Sequence, residues 1–183
     1  MMEDLAMHLL EIVMNSVMAE AESVSLLVSN SEKDDVIRME VKDDGCGMSP
    51  AMVASATSPF MTGRKKKTGL GLAFMKQLTE VCNGTFSLHS EQGVGTDMVA
   101  TVQRSCIDTP PLGQLGDTVM AAIQWNGKVK FTFEYHNDRS DYIFDTKEVR
   151  DVLEVEDLNE PDILLWIKET VNQGVKKAEE DAR

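Results

Sequence analysis

The most constraining segment of the sequence is a strand-like run that ends in a carboxylate and two glycines. Residues 36–42 alternate apolar and polar side chains, the pattern of a half-buried strand. Asp43, Gly45 and Gly47 follow at alternate positions. Glycine permits positive φ and a close approach to the backbone, and a carboxylate at a strand end can accept a hydrogen bond from a buried ligand. This pattern favours the binding of a flat, polar ring, but an Asp-Gly pair alone is also typical of an ordinary turn.

Composition limits the partners that the chain can bind. The 183 residues carry a net charge of −13, which argues against nucleic acid as the main partner because phosphate backbones require a basic surface. The three cysteines form no Cys-x-x-Cys pair, so neither a disulfide framework nor a zinc site is indicated. No apolar run approaches the roughly 18 residues of a membrane span, and Glu3 and Asp4 stand where a signal peptide would be basic. We therefore expect a soluble, cytoplasmic protein without a membrane partner.

Hydrophobic periodicity predicts an α+β fold for residues 1–104. The order of elements is helix, two strands, short helix, loop, helix and two strands, which predicts a sheet with helices on one face. The predicted helices span residues 3–21, 49–55 and 70–81, and the predicted strands span residues 23–29, 36–42, 85–90 and 95–103.

A second region, residues 105–183, is predicted as a smaller C-terminal α/β extension. It begins with a proline-containing linker near residues 108–111 and continues with a helix over 112–125 and a β-hairpin. Thr146 and Asn159 are predicted to cap two final helices. No motif assigns a role to this extension, which could support dimerisation, dock a partner or cover the sheet.

The first helix carries a polar pair that suits phosphate chemistry. Glu11 and Asn15 are four residues apart, so both side chains lie on one helix face. An Asn amide oxygen suits a Mg²⁺ ion that keeps phosphate oxygens and waters as its other ligands. A Glu one turn away could hold or deprotonate a nucleophile. The alternative is an ordinary polar pair at a helix edge.

Two further glycine pairs flank the third predicted helix. A loop with four consecutive cations, Arg64 to Lys67, leads into Gly69-Leu70-Gly71-Leu72, whose bare N–H groups open a helix and form an anion site. The alternative is a solvated basic loop, and no Rossmann or Walker context surrounds these glycines. The pair Gly93-x-Gly95-Thr96 reads most simply as a hairpin turn, but it could place the Thr96 hydroxyl beside Asp43.

Taken in order, these four motifs resemble the boxes of the GHKL superfamily of ATPases and kinases. Its members include the gyrase B subunit, the heat-shock chaperone, MutL and the histidine kinases. The resemblance covers roughly residues 5–104, and residues 58–62 are similar to the Pro-Phe-x-Thr loop of histidine kinases. The compact domain also resembles anti-sigma-factor kinases.

The resemblance implies a Bergerat ATP-binding fold, a two-layer sandwich of a mixed, mostly antiparallel sheet with helices on one face. Asn15 would ligate Mg²⁺, Asp43 would accept the adenine amino hydrogen with the support of Thr96, and Glu11 would be the catalytic base. The residues implied to bind ATP are Asn15, Asp43, Gly45, Gly47, Met48, Thr62, Lys65, Gly69, Leu70, Gly71, Leu72 and Thr96.

The resemblance also implies a regulatory function. We expect a protein that uses Mg-ATP to phosphorylate or switch a separate regulatory protein partner, because the phosphoacceptor helical hairpin of histidine kinases is not recognisable here. The alternative is a nucleotide-gated protein-binding module with little or no ATP turnover. A homodimer is a possible assembly.

Overall fold

The computed structural model describes residues 3–57 and 70–181. In these residues the predicted helices and strands are all present, with ends within a few residues of the expected positions. The helices are α1 (Leu5–Met18), α2 (Pro50–Ala56), α3 (Gly71–Val81), α4 (Leu115–Trp125), α5 (Thr146–Leu153) and α6 (Pro161–Asp181). The strands are β1 (Ser23–Ser31), β2 (Val36–Asp43), β3 (Thr85–Glu91), β4 (Gly95–Gln103), β5 (Lys130–Asn137) and β6 (Asp141–Asp145).

The strands form one six-stranded sheet in the order β3-β4-β2-β1-β5-β6. All neighbouring strands are antiparallel except β1 and β5, which pair in parallel with Leu26 opposite Phe133. A parallel neighbour cannot be reached by a tight turn. Between β1 and β5 the described part of the chain passes through three strands, β2, β3 and β4, and three helices, α2, α3 and α4. The expected mixed, mostly antiparallel α+β fold is confirmed.

Four helices cover one face of the sheet. They lie in the order α3, α1, α4 and α6, which follows the strand order beneath them. Apolar residues of alternate strand positions, such as Leu26, Met39 and Phe133, are fully buried under this layer. The opposite face carries polar residues such as Lys42 and Lys130, so the sheet buries one side only.

Helix α1 lies at the centre of the helix layer. Its residues Leu5, Leu9 and Val13 are fully buried, as helical spacing predicts. The carboxylate of Asp4 accepts a hydrogen bond of 2.8 Å from the Met7 N–H and caps the helix start. A backbone hydrogen bond to a distant segment also fixes this end of the helix: the Leu5 N–H donates to the Pro111 carbonyl at 2.9 Å.

Residues 105–181 complete both layers of the sandwich. Strands β5 and β6 extend the sheet beyond β1, and α4 and α6 extend the helix layer beside α1. The predicted domain boundary at residue 104 stays a prediction, but the two regions share one sheet and one continuous hydrophobic core. In the ranges that the structure describes, no helix is both long and apolar enough to span a bilayer.

The expected cap of α5 is wrong by one residue. Asp145 is the N-cap, and its carboxylate accepts a 2.7 Å hydrogen bond from the Lys147 N–H. Thr146 is instead the first helical residue, and its buried hydroxyl accepts a 2.9 Å hydrogen bond from the Phe131 N–H. The preceding β6 places the Asp145 side chain, rather than that of Thr146, beside the first turn.

Because β5 is buried in the core, substitutions on β5 should destabilise the protein much more than substitutions at exposed positions of the neighbouring strand β6. Phe133→Ala should lower the free energy of unfolding by about 3–5 kcal/mol, because it leaves a cavity at a fully buried site. Ile143→Ala on β6 should cost under about 1 kcal/mol, because Ile143 is 60% exposed. Urea unfolding followed by circular dichroism measures both, and equal costs would contradict this account of the core.

The β5–β6 hairpin also predicts a pH dependence of stability. The His136 imidazole lies 2.6 Å from an Asp141 oxygen and 3.1 Å from a Glu134 oxygen, and the Asp141 hydrogen bond in particular raises its pKa above the usual 6.5. A raised pKa in the folded state stabilises the fold fully below pH 6.5, and this contribution is lost as pH rises through the folded-state value.

Relative to His136→Gln, wild type should therefore lose stability as the pH rises above 6.5, as measured by urea unfolding at a series of pH values. Asp141→Asn should reduce the same slope, because it removes the main cause of the raised pKa. Parallel pH profiles for wild type and His136→Gln would exclude this contribution.

Candidate functional site

A cavity of about 520 Å³ opens between α1, the end of β2 and the start of β4. Its polar wall includes Asn15 and Ser16 of α1, Asp43 at the end of β2 and Thr96 of β4. Its apolar wall includes residues of α1, β2, the loop after β2, α2, α3 and β4, namely Ile12, Val17, Val41, Met48, Met52, Leu72 and Met98. The cavity thus combines a largely apolar lining with a few polar groups, the usual character of a small-molecule site.

The carboxylate of Asp43 is fixed by two hydrogen bonds. Its Oδ2 accepts from the Ser16 hydroxyl at 2.6 Å, and its Oδ1 accepts from the Gly45 N–H at 2.9 Å. These bonds hold the carboxylate in one orientation at the cavity wall. The sequence interpretation missed Ser16, because a helical serine commonly bonds its own helix, and only the folded structure brings it to Asp43.

The neighbouring Asp44 has a different, structural role. Its Oδ1 accepts hydrogen bonds from the N–H groups of Glu22 at 2.9 Å and Ser23 at 2.8 Å, where β1 begins. Asp44 does not line the cavity, whereas Asp43 does. The two adjacent carboxylates therefore have different roles: Asp43 lines the cavity, and Asp44 holds the start of β1.

The glycines around Asp43 permit close backbone packing. Gly47 has φ +62°, and a Cβ there would overlap the Glu91 carbonyl. Gly95 has φ +137°, and a Cβ there would overlap the Asp43 carbonyl. The sequence interpretation assigned Gly45 and Gly47 to the approach of a ring, but in the structure they also seat the loop against the β3–β4 hairpin and α1.

Thr96 lies directly opposite Asp43 in the β2–β4 register. Its hydroxyl is 2.9 Å from the Ser90 hydroxyl, and Ser90 in turn accepts a 2.8 Å hydrogen bond from the Met48 N–H. Ser90 therefore links the β3–β4 hairpin to the loop after β2. It is a second residue that the sequence interpretation missed, because no motif includes it.

The two members of the polar pair on α1 lie in different surroundings. Asn15 lines the cavity, whereas Glu11 is exposed one turn earlier and does not. Gly71 packs against Glu11 so closely that an added Cβ would lie 2.8 Å from the Glu11 Cβ. The start of α3 is thereby held beside the polar pair.

The start of α3 has the properties of an anion site. Leu70 is the N-cap and makes no side-chain capping bond, so the first N–H groups lack a side-chain partner among the described residues. Leu72, two residues later, lines the cavity. The positive end of the α3 dipole therefore lies near Asn15.

The structure gathers part of the predicted set in the cavity wall. The residues that line it are Asn15, Asp43, Gly47, Met48, Leu72 and Thr96, while Glu11, Gly45, Leu70 and Gly71 support or flank it. Thr62, Lys65 and Gly69 lie outside the described residues, and their roles stay predictions.

Trp125 also lines the cavity, although it belongs to the C-terminal region. Helix α4 starts beside α1, where the Thr118 hydroxyl donates to the Ala6 carbonyl at 3.1 Å, and it brings Trp125 to the far end of α1. The indole is 61% exposed. No sequence motif indicates that this helix end returns to the site.

Comparison with known proteins identifies the family. Residues 3–105 match the family described as histidine kinase-, DNA gyrase B-, and HSP90-like ATPase. Among curated relatives, the osmosensing histidine protein kinase SLN1 of Saccharomyces cerevisiae is 31% identical over 57% of this chain, and sporulation kinase D of Bacillus subtilis is 30% identical over 51%. The chain spans only 8% and 19% of the lengths of these two relatives.

Solved structures of similar chains were also found. Full-length ShkA in complex with AMPPNP has a TM-score of 0.43 and 28% identity, with 52% of this chain and 20% of that chain covered. The MutL ATPase domain of Aquifex aeolicus complexed with ADP has a TM-score of 0.49 and 17% identity, with 85% and 71% covered. On the family match over more than half of its residues, the chain belongs to the histidine kinase-, DNA gyrase B- and HSP90-like ATPases.

Proposed function

We propose that this protein binds Mg-ATP in the cavity beside α1 and uses it to phosphorylate or switch a separate regulatory protein. The observation that carries the proposal is the convergence of Asn15, a doubly hydrogen-bonded Asp43 and Thr96 on one largely apolar cavity. Membership of the histidine kinase-, DNA gyrase B- and HSP90-like ATPases gives further support for ATP as the ligand.

Adenine would bind at the Asp43 end of the cavity. An ionised carboxylate accepts hydrogen bonds only, so it selects an amino group over a carbonyl oxygen at the same position of a purine. Ser16 and Gly45 keep the Asp43 oxygens oriented before the base arrives, and this preorganisation reduces the cost of binding. The apolar side chains of Met48 and Met98 would contact the ring.

The phosphates would bind near Asn15 and the first turn of α3. Among residues 3–57 and 70–181, no three His, Cys, Asp or Glu side chains gather around a metal position. Mg²⁺ would therefore be held here by phosphate oxygens and waters together with the Asn15 amide oxygen. When bound, the ion would neutralise charge that develops on the phosphate chain.

Glu11 is the proposed catalytic residue. It lies one turn from Asn15 on the same helix and beside the start of α3, at the phosphate end of the cavity. Its carboxylate would orient water or a hydroxyl of the partner and accept the proton from it. A site that only binds nucleotide does not require this group.

The proposed partner is a protein that accepts the phosphoryl group or is switched by the nucleotide-bound chain. The curated relatives are named as histidine kinases, which supports phosphoryl transfer to a protein, but the chain matches only a small share of their lengths. We propose a cytoplasmic setting because Cys46, Cys82 and Cys106 are all free thiols in the structure.

Removal of the Asp43 carboxylate should abolish the preference for ATP over GTP. Asp43→Ala removes a charge-assisted hydrogen bond of about 1.5–3 kcal/mol, so ATP should bind roughly 10- to 100-fold more weakly. Titration calorimetry with both nucleotides measures this change. Asp44→Ala is the matched control, since it changes the adjacent carboxylate outside the cavity. Retention of the ATP preference by Asp43→Ala would refute the assignment of the base.

Two substitutions on α1 should separate turnover from binding. Glu11→Gln should lower the rate of γ-phosphate loss from Mg-ATP by about 10²- to 10⁴-fold and leave the Kd within threefold. Phosphate release measures the rate, and calorimetry measures the Kd. Unchanged turnover in Glu11→Gln would contradict the role of Glu11 as the base.

Asn15→Ala should weaken nucleotide binding more with Mg²⁺ than without it, because only the metal-bound phosphate chain uses the amide oxygen. Calorimetry with and without Mg²⁺ measures this difference.

A further inference from the structure

A second groove lies at the opposite end of the sheet from β3. It has a volume of about 580 Å³ and lies between β6, α5 and α6. Its lining includes eight aromatic or aliphatic residues: Tyr142, Ile143, Phe144, Val149, Val152, Leu153, Ile163 and Trp166. Three of these are well exposed, with Val152 at 80%, Ile143 at 60% and Trp166 at 50%. Such a contiguous apolar surface is typical of a contact site.

The groove follows the free edge of the sheet. Strand β6 is the last strand in the sheet order and pairs only with β5 among the described residues. Ile143 and Asp145 project from one face of the strand, and Tyr142 and Phe144 project from the other. All four nevertheless line the groove. The groove therefore runs along the outer backbone of β6, where an edge strand presents unpaired N–H and C=O groups.

The polar lining of the groove is acidic. Asp145, Glu148 and Asp162 line it, and no lysine or arginine among residues 3–57 and 70–181 does. None of these three carboxylates forms an ion pair within the described part of the chain. The surrounding region, residues 105–183, is acidic as well, with 9 Lys and Arg against 17 Asp and Glu. The groove is therefore complementary to a positively charged segment.

A second copy of this chain is a poor occupant of the same edge. If two β6 strands paired antiparallel about a twofold axis at Ile143, Asp141 of each copy would lie directly opposite Asp145 of the other. Like charges directly opposite each other destabilise a strand pair. Glu148 and Asp162 would add further acidic groups on both sides of the contact.

We propose that β6, α5 and α6 form a docking groove for an extended segment of a partner protein that carries apolar side chains together with lysine or arginine. The segment pairs with the outer edge of β6 as an added strand. Its apolar side chains contact Ile143, Val152 and Trp166, and its cations lie beside Glu148 and Asp162. The proposal stands on this surface alone and does not depend on nucleotide binding.

Selection from a random nine-residue peptide library on the immobilised full chain tests the groove. We expect selected peptides to be enriched in Lys and Arg next to apolar residues and to slow amide hydrogen exchange in residues 141–145. Val152→Arg should weaken their binding at least tenfold, because the added positive charge at this exposed position would repel the lysine and arginine side chains of the peptides. Ile107→Arg is the matched control, since Ile107 is 97% exposed and lies outside the groove.

Several outcomes would overturn the proposal. It fails if no peptide is selected, if the selected peptides lack basic residues, or if exchange in residues 141–145 does not change. It also fails if Val152→Arg and Ile107→Arg weaken binding equally. A concentration-dependent dimer in sedimentation that Val152→Arg abolishes would assign the groove to a second copy instead. Thermal unfolding of both variants confirms that each is folded.

Discussion

Burial of the apolar face of α1 against the sheet is the constraint on which the remaining structure depends. Burial of Leu9 and Val13 also buries Ser16 one turn further along the same face, which brings its hydroxyl to Asp43 at the end of β2. The adjacent Asn15 lines the cavity at the edge of this face. Helices α3 and α4 pack against α1, and the cavity is lined by α3 at Leu72 and by α4 at Trp125. A site lined by six helices and strands of the described residues is thus positioned by one helix.

The two ends of the sheet differ in their chemistry. In the cavity beside α1, two hydrogen bonds hold the Asp43 carboxylate at the wall of a largely apolar space, a geometry suited to one small, polar ring. The groove beside β6 is lined by three carboxylates, of which only Asp145 is held by a hydrogen bond within the part of the chain that the structure describes, a geometry suited to an extended chain. The fold therefore separates two sites: the cavity beside α1, where hydrogen bonds hold a side chain in place, and the groove along the edge strand β6.

The sequence predicts local structure well where one interaction type dominates. Alternation predicts β2, and helical spacing predicts α1, because each buries a single face. The spacing of Asp43, Gly45 and Gly47 also predicts a loop with positive φ and close backbone packing after β2. In contrast, the roles of Ser16, Ser90 and Trp125 depend on contacts across distant parts of the chain, which no local pattern encodes. The cap at Asp145 is a smaller case, because two adjacent residues with capping side chains compete for one position.

The parallel pairing of β1 with β5 has a consequence for how the chain folds. Val28 lies opposite Tyr135, so paired residues of the two strands are 107 positions apart in the sequence. Such a non-local contact is slow to form, because the intervening chain must first be confined. During synthesis, β1 emerges long before its partner and remains a transient sheet edge until β5 leaves the ribosome. Nascent chains that stall before residue 130 will therefore be the species most exposed to aggregation and most dependent on chaperones.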